Sequence, residues 1–557
     1  MKRYLLIILA ASLSFRAAAG DARFAFFQYE GKRQERAIAQ PAVGQFINPI
    51  VSGYAPDPSI VRVGDDYYLV NSTFAHFPGL PIYHSKDLVS WTQIGNAIER
   101  PSQLDFSGLK ISRGAFAPDI SFHDGTFYLV NTCVDCGGNF VITAKNPAGP
   151  WSDPVWLGFD GIDPSIFWDD DGKAYLSNNG PPNETPRYDG HRAIWMQEFE
   201  PKTLKLVGPR AQIVNGGVDI AKQPIWIEGP HIFKKDGTYY LIAAEGGTGD
   251  QHSEVVFRSR SVNGPFTPFA GNPILTQRDL SPSRLHPVSS AGHAKFVQTQ
   301  VGEWWAVFLG VRPYGPDQYN IGRETFLLPV TWRDGWPVIL EHGRPVPFIA
   351  KKPGLPSQPK PAVPTSGDFA YTEAFDGRKL PLAWIGVRTP KSELYALERG
   401  ELVLKAGGSM GDTQSTPAFV GRRQQHHIAT YTTAITYRPD HDEDRAGLVA
   451  VADDNAFLFF GIARRASQTV ITLTARATAA DSRDGRTIAT TPIRLSAQTP
   501  VYLKISFNGG TYDAAYALRE GQWISLLTNQ DARFLDSHRA GGFVGTVVGP
   551  YNSGRAL

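Results

Sequence analysis

One pattern recurs five times between Pro58 and Ala306, and it constrains the fold more than composition can. An apolar strand enters a polar turn rich in Gly or Asp and leaves as an aromatic strand. The copies span residues 58–69, 118–129, 164–176 and 230–241, with a looser fifth from His293 through Gly302-Glu-Trp-Trp-Ala306. Alternation and turn chemistry make each copy a β-hairpin. The second aromatic of each is Tyr68, Tyr128, Tyr175, Tyr240 and Trp305, so the copies step by 60, 47, 65 and 65 residues. Those intervals suit four-stranded blades with insertions. The expected fold is all-β, with a five-bladed β-propeller over residues 47–348. A β-sandwich would leave the repeat unexplained.

The same ruler locates chemistry. Eleven or twelve residues before each aromatic stand Asp57, Asp163, Glu228 and His293 in copies one, three, four and five, and Phe116 or Ala117 in copy two. The first strand of a propeller blade lines the central channel, so these positions converge on the axis. The three carboxylates sit in apolar strand contexts, where burial without a purpose is costly. A lone Asp-Pro reads as a turn, whereas three acids in register read as a site.

With these residues the chain resembles glycoside hydrolase family 43. The resemblance rests on Ala55-Pro-Asp-Pro-Ser-Ile60, Ser72-Thr-Phe-Ala-His-Phe-Pro-Gly79, Gly161-Ile-Asp-Pro-Ser165 and Glu228-Gly-Pro-His231. Ala244-Glu-Gly-Gly-Thr248, Gly292-His293 and Gly322-Arg-Glu324 complete it. It covers residues 47–340 and extends, more weakly, to the concanavalin-like sandwich of the family's xylosidase and arabinofuranosidase members. It implies Asp57 as general base, Glu228 as general acid, and Asp163 as the group that orients Glu228 and raises its pKa by like-charge repulsion. Inversion is implied too, with base and acid about 6.5–9.5 Å apart. Arg323 matches a substrate-binding arginine, and Phe74, Phe116 and Thr248 match positions around the terminal sugar. Phe116 departs from the pattern, since related xylosidases often carry Trp there. His293 is implied either to hold an axial calcium ion through water or to hydrogen-bond beneath the pocket, and no cofactor is expected to be required.

The expected substrate is plant cell-wall polysaccharide or its oligosaccharides, cut one terminal pentose at a time. α-L-Arabinofuranose stands ahead of xylose because residues 133–140 and 216–220 resemble arabinofuranosidase-rich branches. A non-catalytic sugar-binding propeller would be expected to have lost an acid. A retaining fructoside-cleaving propeller opens on a different Asp-rich motif.

The rest of the chain sets context. Lys2-Arg3, an apolar run over residues 4–13 and Ala17-Ala18-Ala19 read as a secretory signal peptide over residues 1–19, too short to span a membrane. The protein is expected in the periplasm or outside the cell, with no membrane partner. A net charge of +2 without a Lys/Arg block gives nucleic acid no electrostatic footprint. Cys133 and Cys136, the sole cysteines, read as a local disulfide or two thiols shaping a loop. Asp169-Asp-Asp-Gly172 reads as a hairpin turn rather than a calcium loop, since the closing Glu is missing. Asn71-Ser-Thr73 and Asn183-Glu-Thr185 are glycosylation sequons. Residues 20–46 read as an N-terminal extension, the Pro-rich residues 349–366 as a semi-rigid linker, and residues 367–557 as a β-sandwich. That sandwich is expected to pack on the propeller and narrow the pocket, against the alternative of an independent carbohydrate-binding module.

Overall fold

The computed structural model describes residues 20–35, 38, 40–316, 318–495 and 499–554. The expected signal peptide lies outside the described residues. Five antiparallel sheets form a propeller in which each hairpin of the repeat is the inner pair of a blade. Blade one is Ser59–Val63, Asp66–Val70, Gly79–Ser85 and Thr92–Ile98. The inner strands of blades two to five are Asp119–His123, Ile162–Trp168, Glu228–Lys235 and Ser289–Gln298. Successive side chains on a strand point to opposite faces, and here each face meets a neighbouring blade. Leu129 packs with Val70 and Ile82 of blade one, while Tyr128 and Val130 pack with Ile166 and Leu176 of blade three. Leu241 faces blade three, and Tyr240 and Ile242 face blade five, by the same alternation. Burial on both faces is why the repeat reads as a near-continuous apolar run.

The segment ahead of blade one closes the ring. Blade five has three strands, and residues 48–51 cover its free edge. Ile50 N–H donates to the Thr325 carbonyl at 2.9 Å and Thr325 N–H to that of Val51 at 3.1 Å. The Asn48 amide bonds Leu327 in both directions, at 3.0 Å each. Paired in this way, the last strand offers no open edge to another chain.

Asp119 ties the blades together at the axis. Its carboxylate accepts from Ser59 of blade one at 2.9 Å, from the Ile166 N–H of blade three at 3.1 Å and from the Lys295 ammonium of blade five. His231 of blade four lies 3.6 Å away. All five inner strands therefore meet at one side chain.

The second domain is a sandwich of an eight-stranded and a seven-stranded sheet. It corrects the reading of residues 20–46 as an extension, because Ala22–Lys32 is an inner strand of the eight-stranded sheet. It pairs with Ile428–Thr436 on one side and with Phe369–Glu373 and Glu401–Leu404 on the other. Ala22, Phe24, Phe27 and Tyr29 are buried in its core. The sandwich is discontinuous, and the propeller interrupts it.

The two domains share a dense polar interface, as the packing alternative requires. Gly386–Val387 pairs with His76–Phe77 across the boundary. Buried Arg388 binds the Leu109 carbonyl at 2.7 Å and the Asp454 carboxylate, which accepts from Ile111 N–H at 2.8 Å. The Pro-rich segment is stitched down as well, with Ser366 donating to the Pro49 carbonyl at 2.6 Å. Asn71 is buried, its amide donating to the Ala55 and Pro56 carbonyls, so this sequon is part of the core. Residues 169–172 form the expected hairpin turn, Gly172 N–H donating to Asp169.

Candidate active site

The acids gather where the inner strands begin, and the backbone there is bent to aim them. Inner strands three, four and five slip register at their starts, near Asp163, Glu228 and His293. Such bulges turn a strand and re-aim its side chains. Asp57 (φ 50°), Asp163 (54°), His293 (54°) and Phe74 (53°) all adopt left-handed backbone, which costs of order 1–3 kcal/mol per residue. Gly229, beside Glu228, has φ 55°, and a Cβ there would come within 3.0 Å of the His293 ring.

These residues line one small pocket of about 40 Å³, well below the range of most ligand sites (about 300–1,000 Å³). All eight expected site residues reach it: Asp57, Asp163 and Glu228, then Phe74 and Phe116, then Thr248, His293 and Arg323. The three acids are 5–8% exposed. Asp57 accepts from Arg323 Nη1 at 2.7 Å through one oxygen and from the Ser72 hydroxyl through the other. Asp163 accepts from Gly229 N–H at 3.1 Å, which fixes it beside Glu228. The Glu228 carboxyl accepts no hydrogen bond among the described residues. Burial first, then the neighbouring Asp163 and Asp57 carboxylates, push its pKa well up against the opposing pull of Arg323 and Arg192. Burial also raises Asp163, against the nearby His293.

Aromatic rings close the other side, one of them from the second domain. Phe543 stacks on Phe74 at 5.7 Å and meets Phe116 edge-on at 5.6 Å. The Arg323 guanidinium lies 5.0 Å from the Phe543 ring centre. Tyr54 fixes this wall by stacking on Phe74 at 5.9 Å and donating its hydroxyl to the Phe543 carbonyl at 2.6 Å. Cys133 and Cys136 form a disulfide, and Cys133 pairs with Ala115, the neighbour of Phe116. The cross-link thus braces the strand that carries a pocket ring.

An axial metal ion would find few side-chain ligands here. Among the described residues no group of three or more His, Cys, Asp or Glu side chains is arranged to hold a metal ion. Lys295, two residues beyond His293, already places a cation on the axis, bonded to Asp119, to the Ile120 carbonyl at 2.7 Å and to Ser59 at 3.1 Å. His293 instead packs over Gly229 beside Asp163.

Sequence reasoning missed Asp119, Lys295 and Arg192. Asp119 lies inside the second copy of the repeat but off the ruler position, and Lys295 carries no motif. Arg192, whose guanidinium sits 4.2 Å over the Trp226 ring near Glu228, stands just ahead of the third strand of blade three (Ala193–Glu200), outside every hairpin copy.

The family model for glycosyl hydrolases family 43 matches residues 46–337. The chain belongs to glycosyl hydrolase family 43. It is a glycoside hydrolase. Residues 372–556 match the model of the β-xylosidase C-terminal concanavalin A-like domain. The chain is 38% identical over 516 residues to a non-reducing end α-L-arabinofuranosidase of Bacteroides ovatus, covering 91% of each protein. It is 37% identical over 516 residues to a xylosidase/arabinosidase of Butyrivibrio fibrisolvens, covering 91% of this chain and 95% of that protein. The crystal structure of a GH43_12 protein from a capybara gut metagenome superposes with a TM-score of 0.87 at 38% identity, covering 95% of this chain and 99% of that one.

Proposed function

We propose that this family 43 hydrolase removes terminal α-L-arabinofuranose from plant cell-wall polysaccharides and oligosaccharides, with inversion and in an exo manner. The observation that carries the reading is the division among the acids. Glu228 is buried between two carboxylates, which favours its protonated form, while both Asp57 oxygens are held by donors. Glu228 passes its proton to the glycosidic oxygen as the bond to the anomeric carbon breaks. Asp57 takes a proton from the water that attacks the opposite face, and Asp163 keeps Glu228 placed and protonated. A wall of Phe74, Phe116 and Phe543 around so small a space favours one terminal sugar over an open cleft. The arabinofuranosidase from Bacteroides ovatus supports the sugar.

Xylose is the second reading. The relative from Butyrivibrio fibrisolvens is a xylosidase/arabinosidase, and the C-terminal model is that of β-xylosidases. Comparing kcat/KM on nitrophenyl arabinofuranoside and nitrophenyl xyloside decides between the two. Proton NMR in the first minutes of a high-enzyme reaction tests the mechanism. β-Arabinose appears first from an α-arabinofuranoside if the chemistry inverts, whereas α-arabinose first would make Asp57 a nucleophile. We also propose export to the periplasm or beyond through residues 1–19, a reading that the Cys133–Cys136 disulfide supports, and a role there in hemicellulose breakdown.

A further inference from the structure

A cavity of about 280 Å³ lies between the two domains, lined by none of the residues of the catalytic pocket. Three parts of the chain wall it: blade one with Tyr83 and Trp91, the Pro-rich segment at residues 361–365, and the sandwich with Arg422 and Arg423. Its lining includes Arg422 and Arg423 and no acidic residue. Arg422 stacks 4.0 Å over the Tyr371 ring. Arg423 has no such seat. Its Nε is buried with no hydrogen-bond partner, and the groups close enough to act on its charge are Tyr83, Tyr54 and Arg422, none of them an acid. Three buried arginines of this protein are paired with acids: Arg312 with Glu324 and Glu35, Arg323 with Asp57, Arg388 with Asp454.

A guanidinium whose Nε is buried without a partner is costly unless an anion compensates it. A planar fork of N–H donors suits an oxyanion. Trp91, Val363 and Leu382 thin the water around it, which strengthens the attraction to an anion. We propose that this interdomain cavity is a binding site for a small oxyanion, phosphate or the carboxylate of a sugar acid, with Arg423 as its principal donor and Arg422 as the second charge. Arg423 makes no contact with the pocket acids, so the site is distinct from the catalytic one and stands or falls independently of the substrate assigned above.

Equilibrium dialysis of the full chain with labelled inorganic phosphate at constant ionic strength is the test. One saturable site per chain is expected, unaffected by saturating arabinose or xylose. Arg423→Met weakens it at least tenfold, while kcat on nitrophenyl arabinofuranoside stays as in the wild type. Arg423→Lys keeps the charge without the fork and serves if the methionine variant does not fold, with binding expected to fall about threefold or more. In the wild type, glucuronate displacing the phosphate while glucose does not identifies a sugar-acid site, and phosphate that resists glucuronate identifies a phosphate site. No saturable binding, equal binding in both Arg423 variants, or displacement by arabinose would each overturn the proposal.

Discussion

Two levels of the same channel hold carboxylates in opposite conditions. At the lower level Asp119 meets a hydroxyl, a backbone N–H and an ammonium. One layer up, Glu228 is equally enclosed but has two carboxylates for neighbours and no hydrogen bond to its own oxygens among the described residues. Burial alone therefore does not separate structure from chemistry. Satisfaction of the buried group does: a saturated acid locks five blades together, while an unsatisfied one keeps a proton to give away.

The largest effects fall on the upper level. Glu228→Gln lowers kcat on natural glycosides by about 10²–10⁴-fold and spares substrates whose leaving group needs no proton. Equal losses on both substrate kinds would break the contrast. Asp119→Asn acts differently, because it leaves Lys295 buried against a neutral partner, a penalty of about 3–5 kcal/mol. A fall in Tm of about 5–10 °C is expected, with kcat of the folded enzyme within a few-fold of wild type. A large kcat loss at unchanged Tm would place Asp119 among the catalytic groups.

The wall between the domains sharpens the picture further. Phe543→Ala removes stacking worth about 0.5–1.5 kcal/mol beyond area burial, so KM rises by up to about tenfold while kcat changes little. The smallest effect is on stability. Glu228 has a raised pKa in the fold, so the folded state holds its proton more tightly than the unfolded chain. Stability is then fully present below the ordinary glutamate range and is lost as pH rises toward the folded pKa. Thermal melts should show Glu228→Gln equal to the wild type near pH 4 and a few degrees more stable near pH 8.

The repeat carried most of this into view. Hairpins that are buried on both faces must be apolar throughout, and a near-constant offset from the second aromatic of each puts Asp57, Asp163, Glu228 and His293 on one ring. Contacts between distant strands left no such mark. Ala22–Lys32 alternates as a strand should, but its partners lie hundreds of residues downstream, so the sequence offered nothing local to pair it with. Lys295 on the axis is likewise visible only once Asp119 faces it. Phe543 lies ahead of the terminal strand Val547–Ser553, and its place over Phe74 depends on how the domains dock.

The pH dependence of kcat/KM tests the central claim most directly, measured for the wild type and Glu228→Gln on an aryl glycoside with a very acidic leaving group alongside a natural oligosaccharide. The wild type should lose activity on the oligosaccharide as rising pH strips the proton from Glu228, and Glu228→Gln on the activated substrate should show no alkaline limb. An alkaline limb that persists in Glu228→Gln would mean that another group holds the catalytic proton, and the division between the two levels would not account for catalysis.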